Sequence, residues 1–373
     1  MTVTVGIAGF TGKFSRLLTN SLLKYSEAKI VGYCRTPSKV SSALSSSPQI
    51  SIKQGEAFDG AALRSFARGC DIVVCGYLGD SDFMLEGQKA LIDACEDERV
   101  SRYVASDWSL DYTKVAYGEL PQKDPMKRVK EYIETGDKKI RGVHVLVGGF
   151  MEVLLFPRFG IFDPTRNVMS YWGDGDEIFE SSTYQTAAEY TAAICMDPNA
   201  VGVQRGQMNP TQPSLSNAAF NANLEIVLVL GDSQSTKQLA ATFEKVYGVK
   251  PTLERRGSLD ELFKTMKAAF EKNPSDIYSW MFLFVSLFPF SPLAALLSAP
   301  AQSQLAWNGV VISRLTKTSS RRYYYYYMAS GKTLVGPDLD NDKYPSVKPT
   351  TFEDLMRSTP REKLGELFFN VAQ

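Results

Sequence analysis

Val3-Thr4-Val5-Gly6-Ile7-Ala8-Gly9-Phe10-Thr11-Gly12, at the head of a 373-residue chain, reads as an apolar strand, a glycine turn and the start of a helix. Beyond it, Phe14, Leu17, Leu18 and Leu22 recur at helical spacing. The three glycines have separate expected jobs. Gly6 lets the chain turn off the strand, Gly9 lets the backbone approach a pyrophosphate, and Gly12 lets the helix pack closely on the sheet. The amino end of the helix offers free N–H groups and its positive dipole end to phosphate. A preceding strand and a following helix are the context in which such a turn binds a dinucleotide. Gly6, Gly9, Phe10, Thr11 and Gly12 are therefore expected to hold a cofactor.

Working outward, strands are expected at Lys29–Cys34, Ile50–Gln54, Cys70–Gly76, Val100–Ala105 and Gly142–Val147, with helices at Ala61–Ala67, Phe83–Ala94 and Asp124–Glu134. Apolar strands alternating with helices imply an α/β fold, a doubly wound parallel Rossmann sheet covered on both faces. Ligands of such sheets bind at the carboxyl ends of the strands. Gly76, Ser106, Gly149 and Phe150 occupy those ends, as does the long loop Asp107–Lys123, which carries Tyr112, Lys114 and Tyr117.

Residues 1–152 are expected to form the dinucleotide domain, and residues 153–373 a smaller α+β substrate lobe. In that lobe Thr183–Cys195, Ser235–Tyr247, Leu259–Phe270 and Thr350–Arg357 read as helices. Leu224–Leu230 and Arg321–Met328 read as strands, the latter with five successive tyrosines. No residue from Ile277 to Ser313 is charged. Pro289 and Pro292 interrupt this stretch, which argues for a lid or pocket wall; membrane contact or a dimer surface are the alternatives. A monomer or homodimer is expected.

At the end of the second strand, an acidic residue would bind a ribose 2′-hydroxyl, whereas an arginine accommodates a 2′-phosphate. The chain has Gly32-Tyr33-Cys34-Arg35-Thr36-Pro37-Ser38-Lys39 there, with no acid. Arg35, seconded by Lys39, points to NADP(H).

Other classes are disfavoured. Lys and Arg (41) balance Asp and Glu (41), which leaves no electrostatic footprint for nucleic acid. The five cysteines lack metal-ligand spacing and read as small buried hydrophobes in a reducing compartment. The one histidine, His144, lies in a strand pattern and reads as structural; no metal is expected. The chain enters a strand directly, without a basic region and a long apolar run, so no signal peptide is read and the cytoplasm is expected.

Several stretches carry a family likeness. They are Gly6–Gly12, Arg35, Val100-Ser101-Arg102-Tyr103-Val104-Ala105-Ser106-Asp107-Trp108, Asp124-Pro125 before a helix ending Tyr132-Ile133-Glu134, Gly148-Gly149-Phe150-Met151-Glu152, Tyr344-Pro345 and Pro349-Thr350-Thr351-Phe352-Glu353-Asp354. With these the chain resembles the NmrA-like and isoflavone-reductase-like branch of atypical short-chain dehydrogenases, in its fungal form. The resemblance implies an NADPH-dependent reductase of a small aromatic or polyketide-like carbonyl or enone metabolite, in secondary metabolism. It leaves two alternatives: a cofactor-binding regulator without catalysis, and a non-redox isomerase or cyclase. The family lysine follows Asp-Pro, but Met126 stands there, with Lys127 one residue and about 100° later. The Tyr-x-x-x-Lys pair of short-chain dehydrogenases is missing too. Lys127, Tyr112 and Ser106 remain as catalytic candidates.

The Arg35 reading makes a prediction. A charge-assisted contact to phosphate is worth about 1.5–3 kcal/mol, tenfold or more in affinity. Arg35→Ala is expected to weaken NADPH binding by that factor and to leave NADH binding unchanged, measured by titrating nicotinamide fluorescence.

Overall fold

The computed structural model describes residues 2–135, 138–198, 200, 224–272 and 319–371. Its first half alternates as the apolar pattern requires: β1 (Val3–Ala8), α1 (Lys13–Leu22), β2 (Ala28–Cys34), β3 (Ile50–Gln54), α2 (Gly60–Ala67), β4 (Ile72–Cys75), α3 (Gln88–Asp97), β5 (Arg102–Val104), α4 (Asp124–Thr135) and β6 (Arg141–Leu146). The second half adds β7 (Gly149–Phe150), β8 (Phe162–Asp163), β9 (Val168–Tyr171), β10 (Ile178–Ser182), α5 (Tyr184–Met196), β11 (Leu224–Leu228), β12 (Asp232–Ser235), α6 (Thr236–Tyr247), β13 (Thr252–Arg255) and α7 (Leu259–Lys272). After these come α8 (Ser319–Ala329), α9 (Phe352–Arg357) and α10 (Leu367–Asn370).

The main sheet is parallel, in the order β11-β6-β5-β4-β1-β2-β3. All four residues of β4 are buried, because helices cover both faces. One face packs Val5, Ile7, Ile72 and Val143 against Leu18 of α1 and Tyr190 of α5. The other packs Val73, Cys75 and Tyr103 against Phe66, Leu91 and Ile133. Strand order reverses between β1 and β4, which opens a crevice at their carboxyl ends. The seventh strand, β11, and the covering helix α5 both come from beyond residue 152, so the sheet draws on chain from both halves. Two small sheets, β12-β10-β7 and β13-β9-β8, build the rest of the second half.

Arg102 ties the halves together. It sits on β5 and is almost fully buried, and its guanidinium donates to the carbonyls of Ile194, Cys195, Asp197 and Ala200 at 2.8–3.3 Å. Ile194 and Cys195 lie in the last turn of α5, whose carbonyls have no partner within the helix, and a cation there is also favoured by the helix dipole.

Arg321–Met328 is a correction. It is helix α8, not a strand. Tyrosine's strand preference is a weak prior that packing overrides. Tyr323 and Tyr327 stand one turn apart with ring centroids at 6.5 Å, and Tyr323, Tyr325 and Tyr327 all enter the second core. The charge-free stretch 277–313 lies outside the described residues. Among the described residues no helix is long and apolar enough to cross a membrane. The five cysteines are free and buried, and burial pushes the Cys70 and Cys75 thiols up to about 12.

Removing a buried charge that satisfies several carbonyls costs about 3–5 kcal/mol. Arg102→Met is expected to lower unfolding free energy by that amount, read from urea denaturation.

Candidate active site

The crevice starts at the glycine turn. Gly9 has φ +77°, and a Cβ there would meet the Gly76 carbonyl oxygen at 2.7 Å. Gly76 follows β4, and a Cβ on it would collide with Ser15 Oγ. This mutual approach of Gly9, Gly76 and Ser15 brings α1 down onto the sheet. Gly6 is a correction: it lies inside β1, where a side chain would crowd Cys70, Phe66 and Val73, so its role is packing. Gly12 is the N-cap of α1 at φ −68°, and Ser15 with Gly76 provides the close helix packing expected of it.

The residues present fit a dinucleotide diphosphate. No side chain caps α1 and no acidic residue lies in its first turn. Ser15 Oγ and Arg16 Nε, both in that turn, are buried without a hydrogen-bond partner among the described residues. Phe10 is buried below the turn, where its ring blocks any side chain at Gly32; Thr11 is half-buried. At the end of β2, Arg35 and Lys39 are exposed, and neither forms an ion pair among the described residues. Their charges are available to a phosphate.

The far side of the crevice holds the catalytic candidates. Ser106 is buried and donates its hydroxyl to the Tyr77 carbonyl at 2.7 Å, tying the end of β5 to the loop after β4. Tyr112 is fully buried and donates to Asp107 Oδ2 at 2.7 Å. The same oxygen meets His144 Nδ1, which also lies 3.2 Å from the Tyr112 hydroxyl. With the carboxylate ionised, the ring proton sits on Nδ1. Burial first, and then Asp107, push the Tyr112 phenol well above its ordinary value. Lys127 turns to the loop instead: its ammonium donates to the Ala116 carbonyl at 2.8 Å, reaches Asp124 at 3.5 Å and lies over the Tyr117 ring. Met126 packs inward with Tyr112, Leu146 and Val335.

The residue that sequence reasoning missed is Lys123. It closes the 3-10 turn Pro121–Lys123, which runs directly into α4. Three residues before Met126, it shares that residue's side of the helix. Its side chain is buried between two elements. It is close enough to Asp107, at the end of β5, to feel its charge, and its ammonium lies 5.4 Å from the Tyr324 ring of α8. Among the described residues it makes no hydrogen bond or ion pair, and burial lowers its pKa to about 8 against the pull of Asp107. Asp107 Oδ1 is buried and also without a partner among the described residues. The only signal in the sequence was the spacing of three to Met126.

Gly149 and Phe150 lie where β6 gives way to β7. A Cβ on Gly149 would meet Met328 Cε at 2.6 Å, and Phe150 stacks on Tyr184 with centroids 3.8 Å apart and planes at 6°. Glu152, just beyond, is buried under the amino end of α5 and accepts from the Tyr184 N–H at 3.0 Å. Among the described residues no group of three or more His, Cys, Asp or Glu side chains could hold a metal.

Residues 9–141 match a family model described as NAD(P)H-binding. The cofactor class that goes with this match is the nicotinamide dinucleotide, which the crevice fits. No curated protein sequence matches the chain. Among solved structures, an isoflavone reductase is 16% identical, with a TM-score of 0.63 over 96% of this chain and 99% of that one. The leucoanthocyanidin reductase of Vitis vinifera in complex with NADPH is 15% identical, with a TM-score of 0.61 over 98% of this chain and 100% of that one. The NADPH-dependent quinone oxidoreductase QOR2 of Escherichia coli, complexed with NADPH, is 17% identical, with a TM-score of 0.60 over 95% of this chain and 99% of that one. These are likenesses of fold: a Rossmann-like sheet with its helices.

Burial raises Glu152 to about 7, although the Tyr184 N–H bond opposes it. A carboxyl with a raised folded pKa stabilises fully below its unfolded pKa, and that stability is lost as pH rises through the folded value. The melting temperature of the wild type is therefore expected to fall between pH 5 and 8 by more than that of Glu152→Gln, measured by thermal melts across pH.

Proposed function

We propose that the chain is an NADP(H)-dependent reductase of a small aromatic or polyketide-like carbonyl or enone metabolite. The observation that carries this reading is Lys123, a buried ammonium without a hydrogen-bond or ion-pair partner among the described residues, held between the carboxyl edge of the sheet and the tyrosine-rich helix of the second half. The shared fold with reductases named for isoflavone, leucoanthocyanidin and quinone chemistry supports the same class.

When bound, the reduced nicotinamide supplies hydride. The amides of the α1 first turn, with Ser15 and Arg16, hold the diphosphate; Arg35 and Lys39 hold the 2′-phosphate. Gly149 and Phe150 back the nicotinamide side. Lys123 donates its proton to the substrate oxygen as the substrate carbon accepts hydride, and the neutral amine regains a proton from solvent. A carbonyl becomes an alcohol; an enone, reduced at its β carbon, becomes an enol that reverts to the ketone. Lysine suits this work once burial brings its pKa near the working pH. Asp107, braced by Tyr112 and His144, favours the charged form. The tyrosines of α8 offer an aromatic wall to a flat substrate.

The test is NADPH oxidation with a panel of quinones, enones and aromatic ketones. Turnover is expected, with kcat falling as pH rises through about 8, where Lys123 loses its proton. Loss of a general acid costs about 10²-fold or more. Lys123→Met is expected to lose that much while binding NADPH normally, and Lys127→Met to stay near wild type. NADPH binding with no turnover across the panel would favour a regulator. Product formed without change in NADPH absorbance would favour an isomerase or cyclase.

A further inference from the structure

Tyr112 exposes no surface, and its hydroxyl is already committed. It donates to Asp107 Oδ2 at 2.7 Å and lies 3.2 Å from His144 Nδ1, which meets the same carboxylate oxygen. A phenol so enclosed cannot reach a substrate, and burial, then Asp107, keep its proton in place. Its ring has a separate neighbour. It packs with Met126, which stands one turn after Lys123 on the same side of the chain. Tyr112 therefore touches both things that surround Lys123: the turn of chain beside it and the carboxylate whose charge it feels.

The carboxylate is held from one side. Tyr112 and His144 both meet Oδ2, while Oδ1 is buried without a partner among the described residues. His144 is itself fully buried on β6. Its Nε2, beside Gly142 and Ile133, has no partner among the described residues. A buried carboxylate stays charged where hydrogen bonds replace the water it has lost. Tyr112 and His144 supply those bonds. The other groups that face Asp107 are Lys123 and the Cys75 thiol, which burial pushes up to about 12. Lys123 faces Asp107 and, from α8, the Tyr324 ring. Tyr112 also feels the charges of Asp111 and Glu134.

We infer that Tyr112 is a positioning residue for Lys123. Its hydroxyl holds the Asp107 carboxylate that keeps the ammonium charged, and its ring packs the turn of chain that carries the lysine. The inference rests on the reading of Lys123 as the proton donor. A lysine donor must be protonated when substrate arrives, and burial alone works against that. Without the Tyr112 hydroxyl, the carboxylate loses one of the two bonds that hold it charged in dry surroundings. Its pull on the ammonium then weakens. Tyr112 in this way sets the upper pH at which the site works, without touching what reacts.

The test follows the charge of Lys123 directly, in the full chain. The Cε signal of Lys123 in protein carrying carbon-13 lysine, identified by its loss in Lys123→Met, is titrated with pH. Its midpoint is expected at about 8 in the wild type. Loss of a nearby opposite charge moves such a midpoint by about one pH unit or more, so Asp107→Asn is expected to titrate that much lower. Tyr112→Phe, which keeps the ring and loses only the hydroxyl, is expected to move the same way by less. The double variant is expected to match Asp107→Asn alone, because Tyr112 acts through that carboxylate. If Asp107→Asn fails to fold, Tyr112→Phe decides alone. The falling limb of kcat is expected to move with the midpoint. An unchanged midpoint in Tyr112→Phe, or effects of the two substitutions that add, would overturn the role of Tyr112 and leave the reductase reading intact. Turnover by Lys123→Met at the wild-type rate would overturn the reductase reading, whatever the midpoints.

Discussion

The backbone of Gly9 meets the backbone of Gly76, and the rest of the structure depends on that approach. A side chain at either position would strike the opposite loop or Ser15. Because neither is there, α1 drops onto the sheet between β1 and β4, at the point where strand order reverses. The same approach turns the free amides of α1 toward the crevice. Helix placement and sheet packing are thus two outcomes of one steric constraint, and the buried donors Ser15 and Arg16 sit where it places them.

The two halves of the chain are joined at several points. The links are polar groups in dry surroundings. Arg102 of β5 caps the far end of α5, and Glu152 receives the near end. One helix is held at both ends by side chains from the sheet side. Glu180 of β10 accepts from the Val335 and Gly336 N–H groups, which ties the loop after α8 into the small sheet. Buried polar groups are costly unless satisfied, so these contacts fix relative position as well as supplying stability. The site inherits that rigidity: Asp107 is braced by Tyr112 and His144, and Lys123 lies against α8.

The first half of the fold was legible in the sequence, from the apolar strands through the order in which helices separate them. Those signals are local: period, length and turn residues within a short window. The five tyrosines of α8 were misread because strand preference is also local, while their burial comes from α7 and β10 far away in sequence. The role given to Gly6 failed for a related reason. Glycine spacing tells that backbones come close, but not which backbone, and Gly6 proved to face Phe66 and Cys70 inside the sheet.

For the site, the turn at Gly9–Gly12, which acts through its backbone, was readable, and so was the basic Arg35 at the end of β2. Each of these positions is set by its distance in sequence from a strand, so the sequence by itself determined a dinucleotide crevice and a basic pair, Arg35 and Lys39, at the end of β2. The side chains that face one another across the crevice were decided only by tertiary structure. Lys127 looked right by proximity to Asp124-Pro125, yet one residue's helical rotation sends it to the Ala116 carbonyl. Lys123, one turn earlier, is brought against Asp107 and Tyr324, partners 16 and 201 positions away in the sequence. Whether a lysine is a solvated surface charge or a buried acid depends on what covers it, and what covers Lys123 is helix α8 of the other half of the chain.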